Sequence, residues 1–247
     1  MSDHVLTSYF DDIFFEFKVH DDARDTIVYL PGFPSSGTKE DKIDYFHDHG
    51  YNVFAPKHRG TYQSHGAFLE ENPVDDFTAF LKHLRRGEAT NLWDETTVTY
   101  DINDLIVIGS SFSGGITLSL TTKTRVDKAI LLAPVIDYDG LDDGQDLNHL
   151  TGFVRRAFQH VIRLDSDDLT GAINAYDDCH PAAYKDDLDT PTLILHGRDD
   201  KTVPIHHTET FSDNKEHIKH VPVDGVNHSS TELLEQNEPM WNQFIQR

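Results

Sequence analysis

A short stretch near the middle of the chain, residues 103–118, constrains the fold more than any other. Leu105–Ile108 is a continuous apolar run, which is typical of a strand buried on both faces. Gly109–Gly115 is rich in glycine and serine and suits a very tight turn. Ile116 and Leu118 then restart an apolar pattern that a buried helix can carry. The stretch therefore predicts a strand, a tight turn and a helix.

Two serines compete for the apex of this turn. In the pattern Gly-x-Ser-x-Ser-Gly-Gly, Ser111 follows Gly109 by two residues and lies at the corner between strand and helix. Such a turn exposes one hydroxyl and aims at it a helix N-terminus, which favours negative charge. Ser113 is the alternative, but it falls in the first helical turn, past the corner. Ser111 is the predicted nucleophile, and a glycine-rich junction without chemistry is the remaining interpretation.

Two later segments share one form, a short apolar strand that ends in a polar loop. Residues 192–204 run from Thr-Leu-Ile-Leu into His-Gly-Arg-Asp-Asp-Lys-Thr-Val-Pro, and residues 221–229 end in Gly-Val-Asn-His-Ser. The order along the chain is serine, aspartate, histidine. In this order and these contexts the sequence resembles the α/β-hydrolase superfamily, in particular esterase-like members and the catalytic domains of prolyl-oligopeptidase-like enzymes. The resemblance spans nearly the whole chain and implies a serine hydrolase.

His228 and Asp200 are the candidates for the other two members of a catalytic triad. Serine needs a general base to take its proton, and His228 lies late in the chain after a strand, as the superfamily's histidine does. Asp199 and Asp200 compete for the role of the acid that orients this base. The superfamily's pattern His-Gly-x-x-Asp-x-x-Val-Pro has the aspartate four residues before the proline, and counting back from Pro204 gives Asp200.

Two backbone N–H groups are the predicted donors for a developing oxyanion. One follows the nucleophile and belongs to Phe112. The resemblance places the other at Phe33, in a Pro-Gly-Phe-Pro loop after the first central strand, because Pro34 has no N–H to donate. The alternative is a Pro-Gly turn without a catalytic donor. Arg59, in a later Arg-Gly turn, is expected to pair with acids and support the fold rather than bind substrate.

The pattern of elements predicts one α/β domain over residues 1–247. Strands that alternate with helices imply a mostly parallel sheet covered by helices on both faces. The alternation lapses in the second half, where the resemblance implies a small helical cap inserted at about residues 139–189, and Phe153–Leu164 is expected to be helical. Residues 88–103 are polar and are expected to be irregular. A last helix is expected from Thr231.

The amino-acid composition argues against some classes of binding partner. Asp and Glu number 43 against 21 Lys and Arg, a formal net charge of −22. This charge argues against nucleic acid or an anionic membrane surface as a partner. It fits either adaptation to high salt or an ordinary acidic protein. Cys179 is the single cysteine, so no intrachain disulfide forms.

No segment predicts secretion, a membrane span or a bound cofactor. Met1–Asp12 is polar and acidic, unlike a signal peptide, and no apolar run approaches membrane-spanning length, so we expect a cytoplasmic protein. Glycine loops of the dinucleotide or Walker type are absent. Asp137–Gly144 resembles a calcium loop but lacks the ligand spacing of an EF-hand, so no metal is expected.

The expected activity is hydrolysis of a carboxylic ester, or a related acyl bond, in a small-molecule acyl substrate by way of an acyl-enzyme. Two alternatives stay open. One is a small peptidase or amidase of the prolyl-oligopeptidase type, although the chain has no room for the propeller that usually gates those enzymes. The other is a catalytically silent α/β-hydrolase fold that binds a ligand or a protein. The sequence leaves the oligomeric state open.

Overall fold

A central sheet organises the computed structural model, which describes residues 4–138, 147–181 and 187–247. The strands of this described part are β1 Leu6–Phe10, β2 Ile13–Lys18, β3 Arg24–Leu30, β4 Asn52–Pro56, β5 Glu88–Thr90, β6 Thr97–Thr99, β7 Ile102–Ser110, β8 Lys128–Leu132, β9 Thr192–Gly197 and β10 Ile218–Val223. Its helices are α1 Glu40–Asp48, α2 Pro73–Leu84, α3 Ser113–Lys123, α4 Leu147–Ala157, α5 Leu169–Asn174, α6 His206–Ser212, α7 Ser230–Gln236 and α8 Glu238–Ile245, with a 3₁₀ turn at Asp177–Cys179.

The main sheet has eight strands in the order β1-β2-β4-β3-β7-β8-β9-β10. The six strands from β4 to β10 in this order pair in parallel, whereas β1 and β2 pair antiparallel. The carboxyl ends of parallel strands lie at one edge of a sheet, and in open α/β sheets ligands bind outside that edge. The predicted, mostly parallel sheet is confirmed, and its carboxyl edge is where a site is expected.

Helices cover both faces of the sheet because the inner strands are apolar throughout. On β7, Leu105 and Val107 pack on one face, in the cluster that contains the buried side of α2 and Ile116 of α3. Ile106 and Ile108 pack on the other face, with the buried residues of α1, α7 and α8. Strand side chains alternate between faces, so a strand buried on both faces has no polar position. The sandwich of helix, sheet and helix follows from this pattern.

Helix α2 shows how local sequence sets an element. The side chain of Asn72 accepts a hydrogen bond from the N–H of Val74, and Pro73 is the first helical residue. A cap followed by proline is a favoured helix start, because the first helical N–H groups have no partner inside the helix. Gly87, just past the helix end, adopts a positive φ of 75°, which costs glycine little.

The predicted turn between strand and helix is confirmed at the end of β7. Ser111 has a positive φ of 49°, a left-handed conformation that is strained for a residue with a side chain. Its N–H donates to Leu132 O at 2.9 Å, and its own carbonyl accepts from the N–H groups of Gly114 and Val135 at 2.9 Å each. Hydrogen bonds to the end of β8 and to the start of α3 therefore hold Ser111 in its strained conformation.

Two antiparallel features were not predicted. Residues 88–103 were expected to be irregular, but β5 and β6 form a hairpin there, and the N–H of Leu92 donates to Thr7 O beside β1. Strand β1 itself lies within Met1–Asp12, the segment described from the sequence only as polar and acidic. The outer residues of edge strands face water, so they lack the apolar run that marks an inner strand.

Helix α4 corrects a prediction. The sequence placed a helix over Phe153–Leu164, whereas the described helix is Leu147–Ala157. Phe153, assigned to the buried face, is 48% exposed, and Ile162 instead forms an isolated β-bridge with Thr61. The apolar residues after the helix pack on the main core from a turn at residues 158–161 and the bridge at Ile162, and the sequence pattern does not distinguish this from a longer helix. The predicted last helix is also divided, into α7 and α8.

Apart from the isolated bridge at Ile162, the described part of the interval predicted as a cap contains helical elements, namely α4, α5 and the 3₁₀ turn. Residues 139–146 and 182–186 lie outside the described residues, and most of the stretch compared with a calcium loop falls in the first of these gaps. Cys179, on the 3₁₀ turn, is a free and fully buried cysteine. In the described ranges, no helix has the length and apolar character needed to cross a membrane.

A matched pair of glycines tests the packing between strand and helix at the turn. A Cβ at Gly109 would lie 2.1 Å from Thr117 Oγ1 and 2.5 Å from Ser113 O, whereas at Gly152 the nearest atom is the Arg156 Nη1, at 3.3 Å. We expect Gly109→Ala to lower the free energy of unfolding by about 2 kcal/mol. Gly152→Ala, inside α4, should raise it by up to about 1 kcal/mol. Urea denaturation measures both, and equal effects would contradict the packing described.

Candidate active site

Three side chains from three loops at the carboxyl edge of the sheet form one hydrogen-bonded chain. The Ser111 hydroxyl, after β7, donates to His228 Nε2 at 2.8 Å. His228, after β10, donates from Nδ1 to Asp200 Oδ2, after β9, at 2.7 Å. The carboxylate can only accept, which assigns the proton to Nδ1 and leaves Nε2 free to take the serine proton. The structure brings together the three residues that the sequence predicted.

Both carboxylate oxygens of Asp200 are engaged by neighbouring groups. Its Oδ1 accepts from the N–H groups of Thr202 and Val203 at 2.8 and 2.9 Å. Burial alone raises the pKa of the Asp200 carboxyl, but hydrogen bonds from His196 and His228 outweigh it and hold the pKa well below the ordinary value. Asp200 is thus ionised at neutral pH. The alternative acid, Asp199, has an exposed side chain and is not part of the hydrogen-bonded chain.

His196 is a second histidine on the same carboxylate, and the sequence analysis did not single it out. Its side chain is fully buried on β9, with Nε2 at 2.9 Å from Val203 O and 3.3 Å from Asp200 Oδ2. Its Nδ1 lies 2.9 Å from Thr208 Oγ1. The signal was present, because His196 is the histidine of the His-Gly-x-x-Asp pattern. His196 and His228 therefore contact the same oxygen of Asp200, Oδ2.

Ser113, the alternative candidate for the nucleophile, makes structural hydrogen bonds instead. Its hydroxyl is buried and donates to Pro31 O at 2.6 Å, and His58 Nε2 lies 3.0 Å from both of these oxygens. Burial lowers the pKa of His58 to about 4, so the ring is neutral at physiological pH. The pair ties the Pro31–Phe33 loop to the first turn of α3. Sequence reasoning missed His58, because nothing in a Lys-His-Arg-Gly loop marks one ring as buried.

The two predicted oxyanion donors, Phe33 and Phe112, border one cavity with Ser111. Both residues are buried, at 6% and 1% exposure. In the described part of the chain neither N–H donates to a protein acceptor. Both N–H groups therefore lie beside the cavity that contains the Ser111 hydroxyl, without a protein acceptor among the described residues.

Aromatic packing fixes the backbone that carries these N–H groups. The ring of Phe33 stacks on Phe68 with a centroid separation of 3.7 Å and lies 6.0 Å from the ring of Phe112. His58 contacts Phe68 and Phe112 edge-on, with its centroid 5.7 and 5.4 Å away. On the loop side, a Cβ on Gly32 would come within 3.1 Å of Ser111 Cβ. A side chain at position 32 would therefore be tightly packed against Ser111.

The cavity above the serine has a volume of about 380 Å³. Ser111 and His228 both open into it. Part of its wall is apolar, formed by Phe112, Val135, Leu147, Leu150 and Val203. Another part is polar and includes Ser35, Lys39, Lys42, Ser230 and Thr231. The volume suits a small molecule with one apolar and one polar portion.

Arg59 pairs with acids, as the sequence predicted. Its guanidinium contacts Asp12 at 2.6 Å and Asp76 at 2.7 Å, the latter through two parallel hydrogen bonds. These bonds raise the pKa of Arg59 above its ordinary value. Arg59 links the turn before β2 to helix α2, and it does not border the cavity of Ser111.

Comparisons with known proteins agree with this architecture. The sequence profile of the prolyl oligopeptidase family matches residues 38–223, a span that includes Ser111 and Asp200. No curated protein sequence matches significantly. Among solved structures, the α/β-hydrolase enzyme MGS-MChE2, from the metagenome of sediments from the lagoon of Mar Chica in Morocco, is 20% identical. Its TM-score is 0.64, and the match covers 99% of both chains.

Two further solved structures share the fold. The esterase EaEST from Exiguobacterium antarcticum is 15% identical, with a TM-score of 0.66 over 95% of this chain and 94% of that one. An α/β serine hydrolase homologue from Coxiella burnetii is 16% identical, with a TM-score of 0.63 over 98% of each chain. At such low identity these similarities establish the fold alone.

The fold and the family match define this protein as a serine hydrolase of the α/β-hydrolase superfamily. Within that superfamily, the chain belongs to the prolyl oligopeptidase family. The resemblance in the sequence and the α/β-hydrolase fold that it implied are thereby confirmed.

The neutral ring of His58 should make the fold sensitive to acid. Its pKa is about 4 when folded and 6.5 as the reference value, so below pH 6.5 the unfolded chain binds a proton that the folded protein excludes. Stability is therefore lost as the pH falls from 6.5 towards 4. Between pH 7 and pH 4 we expect the wild type to lose about 3 kcal/mol more unfolding free energy than His58→Gln. Urea titrations at each pH measure this difference, and parallel curves would contradict it.

Proposed function

We propose that the protein is a carboxylesterase that cleaves small esters with a Ser111–His228–Asp200 triad. The observation that carries the proposal is the unbroken chain of hydrogen bonds from the Ser111 hydroxyl through His228 to Asp200, at 2.8 and 2.7 Å. A nucleophile and base within hydrogen-bond reach, with the base oriented by a third group, is the signature of nucleophilic catalysis. The unpaired N–H groups of Phe33 and Phe112 supply the oxyanion site that such chemistry needs.

In the first half of the proposed reaction, Ser111 Oγ attacks the carbonyl carbon of the ester. His228 Nε2 takes the hydroxyl proton as the C–O bond to serine forms, and Asp200 stabilises the resulting imidazolium. The carbonyl oxygen becomes an anion and accepts hydrogen bonds from the N–H groups of Phe33 and Phe112. The bond to the leaving oxygen then breaks, and His228 returns its proton to that oxygen. An alcohol leaves and an acyl-serine remains.

In the second half, water takes the place of the alcohol. His228 Nε2 removes a proton from the water as its oxygen attacks the acyl carbon, and the oxyanion forms again. The bond between the acyl carbon and Ser111 Oγ breaks, and His228 returns the proton to that oxygen. A carboxylic acid leaves and the free serine is restored. The cycle consumes one ester and one water, and no group other than the chain's own residues is required.

We also propose that α4 and α5 belong to a cap over the cavity, as the sequence resemblance implied for residues 139–189. Leu147 and Leu150 of α4 border the same cavity as Ser111. The side chain of Asn148 joins the two helices by donating to Asp168 Oδ1 at 2.9 Å. A cap in this place sets the size of the apolar part of the cavity, and through it the acyl or alcohol group that fits.

The family match favours a second candidate, cleavage of a peptide or amide bond. The same triad geometry serves both reactions, and the difference lies in protonation of a more basic leaving group. p-Nitrophenyl butyrate and the p-nitroanilide of the same acid present one acyl group with the two bond types. Cleavage of the ester with no turnover of the anilide supports the esterase, whereas enzymatic turnover of the anilide that Ser111→Ala abolishes would establish the amidase.

Replacing the two competing serines tests the nucleophile. We expect Ser111→Ala to lower kcat on p-nitrophenyl butyrate at least about a thousandfold and to abolish labelling by a fluorophosphonate probe. Ser113→Ala removes the bond to Pro31 O but should still be labelled. The readouts are p-nitrophenolate release and in-gel fluorescence. Labelling that survives in Ser111→Ala would refute the assignment, and no labelling of the wild type would favour a silent binding protein.

The two neighbouring aspartates provide a matched test of the acid. Asp200→Asn keeps the shape but lets the amide donate where a carboxylate accepted, so His228 loses its correct tautomer. We expect kcat to fall about a thousandfold or more. Asp199→Asn, at an exposed position, should change kcat less than about twofold. Steady-state kinetics with p-nitrophenyl butyrate compares them, and similar losses in both variants would exclude Asp200 from the special role given to it.

A further inference from the structure

Two buried lysines border the cavity of Ser111 in a chain that is otherwise strongly acidic. Lys39 is 6% exposed and Lys42 is 8% exposed, and both line the cavity. The whole chain has only 21 Lys and Arg against 43 Asp and Glu. Lysine is almost never fully buried, because removing an ammonium group from water is costly. A pair of them beside a reactive serine therefore calls for a specific reason.

Among the described residues, the ammonium group of Lys39 donates hydrogen bonds only to neutral protein groups. Its Nζ donates to Ser36 O at 2.6 Å and to Ser36 Oγ at 2.9 Å, with Thr38 O at 3.5 Å. No carboxylate in the described part of the chain lies within 4.0 Å of it. Burial lowers the pKa of Lys39 to about 8, while Asp41 and Glu16 favour the charged form. The group is consequently still a cation at neutral pH, and its charge is not neutralised by contact with an acid.

Lys42 is placed in a similar way. Its Nζ donates to Thr231 Oγ1, another cavity residue, at 2.6 Å. Its nearest acid is Asp41, which also borders the cavity. The Asp41 Oδ2 lies 3.5 Å away, and the Asp41 side chain is 69% exposed. An ion pair with a solvated carboxylate is weak. Lys42 therefore keeps most of its positive potential towards the cavity.

The charges around Lys39 and Lys42 leave this part of the cavity positive. Glu16 accepts a bond from the backbone N–H of Lys39 at 3.0 Å, and its carboxylate lies 3.7 Å from Lys57 Nζ, so these two charges offset each other. Among the charged groups described around this part of the cavity, Lys39 and Lys42 then face Asp41 alone. One positive charge remains in excess. A low-dielectric cavity strengthens the attraction of such a charge for an anion.

We propose that the ester cleaved at Ser111 carries a carboxylate that binds against Lys39 and Lys42. This inference rests on the proposed esterase function, since it names the substrate class of the same site. The excess positive charge within the cavity, in a protein of net charge −22, selects an anionic substrate over its neutral counterpart. A purely structural task for Lys39, holding residues 36–38 in place, would affect neutral and anionic esters alike.

Matched substrates separate the two cases. Mono-p-nitrophenyl adipate has the carboxylate on the acyl side, and its methyl ester is the neutral partner. 4-Carboxyphenyl butyrate has the carboxylate on the leaving group, and its methyl ester is again the neutral partner. The ratio of kcat/KM between the partners is measured at one fixed ionic strength, because salt screens the attraction. The two pairs show whether the acyl or the alcohol side of the ester carries the charge.

Three variants are compared with the wild type. Lys39→Gln and Lys42→Gln remove the charge but keep a hydrogen-bond donor, and Lys82→Gln removes one charge at an exposed position of α2. We expect the carboxylate-to-neutral ratio in at least one pair to fall about tenfold in Lys39→Gln and in Lys42→Gln. Lys82→Gln should keep the wild-type ratio. Comparing ratios between proteins cancels the different intrinsic reactivity of the two partners.

The outcomes are distinct. A ratio that falls in the cavity variants alone supports the proposal. Ratios unchanged in both cavity variants would overturn it, even if overall activity falls, and so would a wild type that cleaves the neutral esters and rejects both carboxylate esters. A wild type that cleaves none of the four esters and takes no fluorophosphonate label would refute the esterase function itself, not the charge selection.

Discussion

The carboxylate of Asp200 is the point on which the site depends. It is buried, ionised and bound on both oxygens, with Oδ1 on the N–H groups of Thr202 and Val203 and Oδ2 facing His228 and His196. A buried charge is tolerated only when its hydrogen-bonding capacity is filled. The same bonds that make the charge tolerable also fix the position and tautomer of the His228 ring, and that ring fixes the direction of the serine hydroxyl.

The sheet topology explains how Ser111 and His228, 117 positions apart in the sequence, come to form a hydrogen bond. Parallel pairing of β7, β8, β9 and β10 places their carboxyl ends side by side, so the loops after them converge. The strain at Ser111 is stored at this edge and held by the end of β8 and the start of α3. Beside it, the neutral pair of His58 and Ser113 keeps the Pro31–Phe33 loop close to the serine. The same frame therefore carries the proposed nucleophile, base and oxyanion donors.

Those parts of the site and its supporting sheet that have a local sequence pattern could be predicted from the sequence. The apolar runs marked the inner strands, and glycine and serine marked the turn at Ser111. The predictions failed where the signal is not local. The hairpin at residues 88–103 is polar because it lies at an edge, and the apolar residues after α4 pack on the core from a turn and a single β-bridge. His58 and Lys39 were missed for a related reason, because their burial is decided by tertiary packing.

In the proposed reaction, the N–H groups of Phe33 and Phe112 and the hydroxyl of Ser111 act on one carbonyl group of the substrate. A crystal structure of the protein after reaction with an alkyl phosphonate ester, a mimic of the tetrahedral intermediate, tests it most directly. We predict a covalent bond from phosphorus to Ser111 Oγ and a phosphonyl oxygen about 3 Å from both nitrogens. An adduct on another residue, or a phosphonyl oxygen that points away from both N–H groups, would contradict the account.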